Sequence, residues 1–99
     1  MRQAIPAHTS EAWHLKATQD QRYLEFVARL RAARVRRDVS QAELARRLGR
    51  PQSYVSKVEM AERRVDLVEA MDLCGALGVT IAEVVPSELR HLLGGDGGD

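Results

Sequence analysis

Apolar residues recur along this chain at intervals of three and four, the period of one face of an α-helix rather than the alternation of a strand. Tyr23, Phe26, Val27, Leu30 and Ala33 form a first stripe, Leu44, Ala45 and Leu48 a second, and Val55 and Val58 a third. Leu67, Ala70, Met71, Cys74 and Leu77 form a fourth, read as the inner face of its helix. The polar residues between stripes punctuate them as helix ends. Ser40 with Glu43, Asp66 with Glu69 and Thr80 with Glu83 each have the spacing of a capping box, in which the cap side chain and the carboxylate satisfy each other's backbone N–H groups. Val39 and Leu44 flank the first box as a hydrophobic staple. Gly49 is placed to end the second helix, since glycine takes a left-handed C′ conformation without steric cost. Pro51 suits the first turn of the third, where a missing N–H would have had no partner.

These signals predict an all-α fold with a first helix from about Asp20 to Arg37 and four shorter helices after it. Residues 20–86 are the expected domain. Residues 1–19 are expected as an extension, partly disordered or holding a short helix opened by Thr9 or Ser10, with Trp13 and Ala17 one turn apart. Residues 87–99 are expected as a short C-terminal helix capped by Ser87, followed by GGDGGD, too rich in glycine and charge to order.

The stretch Ser40–Glu59, SQAELARRLGRPQSYVSKVE, carries the candidate chemistry. Laid out at about 100° per residue from Gln52, Val55 and Val58 fall on one side, while Gln52, Ser56, Met60, Ser53 and Lys57 fill a contiguous arc on the other. An amide, two hydroxyls and an ammonium are groups able to read base edges or grip phosphates in a major groove. A solvated helix face has a similar composition. What separates the two is the capped helix, glycine turn and second amphipathic helix occurring together at fixed offsets, the arrangement of a DNA-binding helix-turn-helix.

Charge supports that reading although the overall balance, +1, conceals it. From Arg22 to Arg64 there are twelve Lys or Arg against five acids, a net of +7, while residues 65–99 carry one Arg against seven acids, a net of −6. A basic half that coincides with the motif is the electrostatic footprint of a DNA-binding surface, and the acidic half is expected to face away from the polyanion. No apolar run approaches the length of a membrane span, and the N-terminus lacks the apolar core of a secretion signal, which makes the cytoplasm the expected compartment. His8, His14, His91 and Cys74 have no metal-ligand spacing, so no metal, cofactor or catalytic residue is expected. Cys74, on an apolar stripe, reads as a buried small hydrophobe.

The sequence resembles the Cro/C1-type (XRE-like) helix-turn-helix regulators of bacteria and phages. The likeness spans about Tyr23 to Val85 and rests on Leu30-Arg31-Ala32-Ala33-Arg34, on SQAELA, on QSYVSKVE and on Leu77-Gly78-Val79. It implies a compact five-helix bundle of the lambda-repressor kind whose third helix enters the major groove of double-stranded DNA. Carried over by position, Gln52, Ser53, Ser56 and Lys57 become the base-facing set. Gln41 becomes a phosphate clamp, and Tyr54, Arg50, Arg63 and Arg64 further backbone contacts. The resemblance also implies a structural pair between Arg34 and Glu59. Where the family has glycine after the first and third helices, this chain has Asp38 and Ala61. Asp tolerates the left-handed region; at Ala61 either that conformation is adopted at a cost of about 1 kcal/mol or more, or the third helix runs on through Met60 and Ala61.

A single such module makes few base contacts, so the expected function is a transcriptional repressor binding a pseudo-palindromic operator as a homodimer; Leu89, Leu92, Leu93, Trp13 and Leu15 either form its interface or cover the bundle. The alternative is an antitoxin-type protein that binds a toxin partner and represses its own operon.

Overall fold

The computed structural model describes residues 20–94. Helix α1 spans Gln21–Arg36, α2 Gln41–Leu48, α3 Gln52–Glu59 and α4 Leu67–Leu77; two 3-10 segments follow, Ile81–Glu83 and Ser87–Leu93. The fifth helical position is thus taken by 3-10 turns rather than by an α-helix. The expected N-terminal helix around Trp13 and the Gly/Asp tail from Gly95 lie outside the described residues. No helix of the described residues is long and apolar enough to cross a membrane.

The core is made where the stripes meet. Leu30 of α1, Leu44 of α2, Val55 and Val58 of α3, Leu73 of α4 and Val84 are all but fully buried, and Ala33 and Ala45 let the helices approach closely. Val39 and Leu44 are both buried, as a staple requires. Tyr23 and Phe26 sit at the margin, half-buried. The Tyr23 hydroxyl accepts from the Val65 N–H at 3.1 Å and donates to the Arg63 carbonyl at 3.5 Å, tying α1 to the α3–α4 loop. The stripe expected for α4 is shifted: Ala70, Leu73, Cys74 and Leu77 are buried, whereas Leu67 and Met71 face outward. This helix is apolar on both sides, so periodicity alone could not choose its inner face.

Only one of the three expected capping boxes forms in full on an α-helix. Asp66 accepts from the Glu69 N–H at 2.8 Å and Glu69 from the Asp66 N–H at 3.0 Å. Ser40 accepts from the Glu43 N–H at 3.0 Å, but the Glu43 carboxylate does not return the bond. It turns instead to Arg46 and Arg47, two guanidiniums at 2.6 and 2.9 Å that offer a stronger, charged partnership than a lone amide. Thr80 and Glu83 bracket the first 3-10 segment, the Thr80 N–H donating to Glu83 at 3.3 Å. Ser87 lies inside the last segment rather than capping it; its N–H and hydroxyl both donate to Glu25, at 3.0 and 2.7 Å. These bonds, with the Arg29 guanidinium, hold the Glu25 carboxyl down to about 2 and fasten the C-terminal segment to α1.

Every α-helix closes with the same paired bonds, a six-to-one and a five-to-two turn around one left-handed residue. The pairs are Val39 N–H to Arg34 O and Asp38 N–H to Val35 O after α1, and Glu62 N–H to Lys57 O and Ala61 N–H to Val58 O after α3. Gly49 and Gly78 take the left-handed position after α2 and α4. Asp38 has φ 58° and Ala61 φ 60°, so the third helix does not run on: it stops at Glu59 and Ala61 bears the strain. The two bonds satisfy carbonyls that would otherwise be orphaned, and the turn delivers Arg63 back to α3. Ala61→Gly is therefore expected to raise stability by about 0.5–1 kcal/mol, the left-handed penalty less glycine's extra unfolded-state entropy, measured as an increase in Tm.

Candidate nucleic-acid interface

The α2–turn–α3 unit is anchored from below by a buried ion pair. Arg34 of α1 grips Glu59, the last residue of α3, through Nε at 2.6 Å and a terminal nitrogen at 3.0 Å, while its other terminal nitrogen donates to the Val39 carbonyl at 2.7 Å. The Glu59 side chain is only 4% exposed, and a lone carboxylate could not be held there. The fork of a guanidinium satisfies α3 and the α1–α2 loop at once. Arg31, on the surface, adds a distant second charge at 3.8 Å.

From this pair a line of hydrogen bonds runs outward. Gln41, first residue of α2, donates its amide to Glu59 at 2.9 Å, and its amide oxygen accepts from Gln52, first residue of α3, at 3.4 Å. Gln41 and Gln52 are thereby brought together and oriented from a buried charge. An amide nitrogen carries two hydrogens, so each glutamine keeps one donor, and Gln52 its carbonyl oxygen, for a ligand. Beyond them Ser53 is exposed, Ser56 is half-buried and Lys57 is exposed, with Val55 and Val58 inside. Met60 completes the arc, 60% exposed, with the Ser56 hydroxyl donating to its sulfur at 3.7 Å.

Tyr54, expected as a flanking backbone contact, is 8% exposed and belongs to the core cluster. The guanidinium carbons of Arg50 and Arg63 lie 4.3 and 4.9 Å from its ring centroid, a geometry in which the ring's quadrupole attracts both cations. Burial pushes its phenol up from the usual tyrosine range. Glu69 closes the group, with Arg63 at 3.0 Å and Arg50 at 3.6 Å. Its own carboxyl is lowered, first by the Asp66 N–H and then by Arg63. Glu69 is a correction to the expected charge division, since an acid from the acidic half sits beside two of the cations nominated for phosphates. Arg64, half-buried, borders the groove lined by Tyr23, Phe26 and Leu89.

Sequence reasoning missed the role of Glu69, whose capping-box spacing accounted for it completely, and the inward turn of Tyr54, one residue before the valine stripe. A wheel drawn over α3 places Tyr54 at the edge of the buried side, and the two nearby arginines were the available signal.

Residues 25–86 match the family model described as a helix-turn-helix domain. An XRE-family like protein from Pseudomonas syringae pv. tomato is 42% identical, with 81% of this chain and 96% of that one covered and a TM-score of 0.67. A hypothetical transcription factor from Neisseria is 33% identical, with 78% and 88% covered and a TM-score of 0.61. Among curated proteins no sequence matches the chain. With the anchored α2–α3 unit and the match to most of the folded region, the chain belongs to the Cro/C1-type (XRE-like) helix-turn-helix family of DNA-binding regulators.

Proposed function

We propose that this protein is a cytoplasmic repressor that binds a pseudo-palindromic operator as a homodimer, with α3 in the major groove. The observation that carries this reading is the line Glu59–Gln41–Gln52, which orients an amide at the tip of α3 before any ligand arrives. Gln52 has the pair of groups, one oxygen and one N–H, that matches adenine's N6 and N7 edge. Ser53, Ser56 and Lys57 contact neighbouring base pairs. Gln41 turns its remaining amide hydrogen to a phosphate, and Arg50, Arg63 and Arg64 add charge along the backbone. Tyr54 contributes by holding Arg50 and Arg63 in place. Two such modules on a two-fold axis place their α3 helices about 34 Å apart, one turn of the duplex.

Selection of bound sequences from random DNA tests the reading and should return an inverted repeat with a fixed adenine in each half. Against that site Gln52→Ala should cost about 1–3 kcal/mol and relax preference at one position only. Undiminished operator binding by Gln52→Ala, together with a lowered Tm, would mean that this side chain supports the fold and does not read bases.

A further inference from the structure

We propose that the outward face of α4, with the groove between α4 and the end of α2, is the surface through which two copies of this chain pair. The proposal rests on the dimeric reading above and gives it an interface. It differs from the residues that the sequence nominated, Leu89, Leu92 and Leu93 at one end and Trp13 with Leu15 at the other.

Helix α4 already buries one full face, with Ala70, Leu73, Cys74 and Leu77 in the core. Its other face carries Leu67, Met71, Gly75 and Val68 within an arc of about 100°. Leu67, Val68 and Met71 are 68%, 63% and 51% exposed, and Asp72 at the edge of the arc is the one charge among them. A helix apolar on both sides is normally covered on both. Among the described residues nothing covers this side; the other exposed large apolar side chains are Val35 on α1, Met60 just after α3, and Leu92 and Leu93 in the C-terminal segment.

Self-pairing is indicated by the shape and charge of the patch. Met71, Asp72, Gly75 and Ala76 border a groove of about 450 Å³ whose other wall is Arg47 and Leu48 of α2. The knob, Met71, therefore stands at the edge of a hole. Gly75 keeps that hole open: a Cβ added there would meet no atom within 4 Å, leaving room for a second helix to come close. A two-fold contact needs a surface complementary to itself, and a knob beside a hole on one helix is such a surface. Seating Met71 in the second copy's groove also brings Asp72 to the second copy's Arg47, opposite charges in both directions across the axis. Arg47 is bonded to Glu43 at 2.9 Å and to the Ala76 carbonyl at 2.9 Å, which holds it in position at the groove wall. None of Gln52, Ser53, Ser56 or Lys57 lines the groove, so pairing leaves the face of α3 free.

Sedimentation equilibrium of the full chain at micromolar concentrations is the test. Gly75→Gln is the most informative variant, because glutamine is a better helix former than glycine and the monomer has space for it, while it fills the hole. The wild type should be dimeric, and Gly75→Gln and Met71→Lys should each weaken dimerisation by about tenfold or more with helicity retained by far-UV circular dichroism. Asp72→Arg and Arg47→Asp should each weaken it, and the double exchange should recover a good part of the loss. A wild-type monomer, or a dimer indifferent to Gly75→Gln and Met71→Lys, overturns the proposal; in the second case Leu92→Asp reports whether the C-terminal segment is the interface instead. Binding to an isolated half-site is measured alongside and should not change in the α4 variants. Loss of half-site binding in the wild type would count against the DNA-reading assignment, while sedimentation still decides the interface.

Discussion

Glu59→Leu is expected to lower the unfolding free energy by about 3–5 kcal/mol, the cost of leaving a buried guanidinium without its counter-charge. A domain of this size is worth roughly 5–15 kcal/mol in total, so the variant should lose a large part of its stability and melt well below the wild type. Arg34 would keep its bond to the Val39 carbonyl, but the two bonds to Glu59 at 2.6 and 3.0 Å would be gone, and Gln41 would lose its acceptor as well. Arg34→Met should be nearly as damaging, and slightly less so, because the stranded carboxylate retains Gln41 and can draw Arg31 in from 3.8 Å. The decisive comparison is the double replacement Arg34→Met with Glu59→Leu. Attraction within a buried pair roughly offsets its desolvation, so the double variant should recover most of the loss and give a strongly non-additive cycle. Urea unfolding followed by circular dichroism measures all four proteins. Additive losses would mean that the two residues act independently and that the pair is not the anchor of α3. The double variant also separates stability from recognition. It should fold and still bind its operator more weakly, because Gln41, and through it Gln52, would have lost the charge that orients them.

That dependence explains how much of the site was legible in the sequence. The arc of Gln52, Ser53, Ser56 and Lys57 follows from helical period alone, since Val55 and Val58 fix which side of α3 is buried. The Arg34–Glu59 pair lies 25 residues apart in sequence, where period and capping say nothing, and only the resemblance pointed to it. The bond between Gln41 and Gln52 was invisible for the same reason. Local rules failed where two of them competed for one residue. Glu43 could cap Ser40 or pair with arginines one turn ahead, and charge won. Glu69 could do both, accepting from the Asp66 N–H while holding Arg63 and Arg50. Ala61 shows the opposite limit. Propensity favoured continuing the helix, but closing two hydrogen bonds and returning Arg63 toward Tyr54 outweighed a penalty of about 1–2 kcal/mol.

Tyr54→Ala is expected to cost about 3 kcal/mol or more of stability, as truncation of a buried aromatic usually does, and to weaken DNA binding beyond what the unfolded fraction accounts for. The second effect comes from Arg50 and Arg63, whose guanidiniums lie over the ring while Glu69 holds their outer ends. Without the ring, both arginines regain rotamer freedom that must be lost again on each phosphate, and Glu69 becomes the stronger competitor for them. Two further substitutions separate packing, ring and hydroxyl. Tyr54→Leu keeps much of the apolar burial and removes the π-face, so DNA affinity should fall more steeply, relative to stability, than in other core variants. Tyr54→Phe keeps the ring and removes only the hydroxyl; stability and affinity should both stay close to wild type. If Tyr54→Phe instead lost affinity at unchanged Tm, the phenol itself would be touching the backbone, and Tyr54 would be a phosphate contact in its own right. The ordering Phe, Leu, Ala for affinity at fixed salt, read beside the ordering for Tm, therefore decides whether Tyr54 acts on DNA directly or through the two arginines it carries.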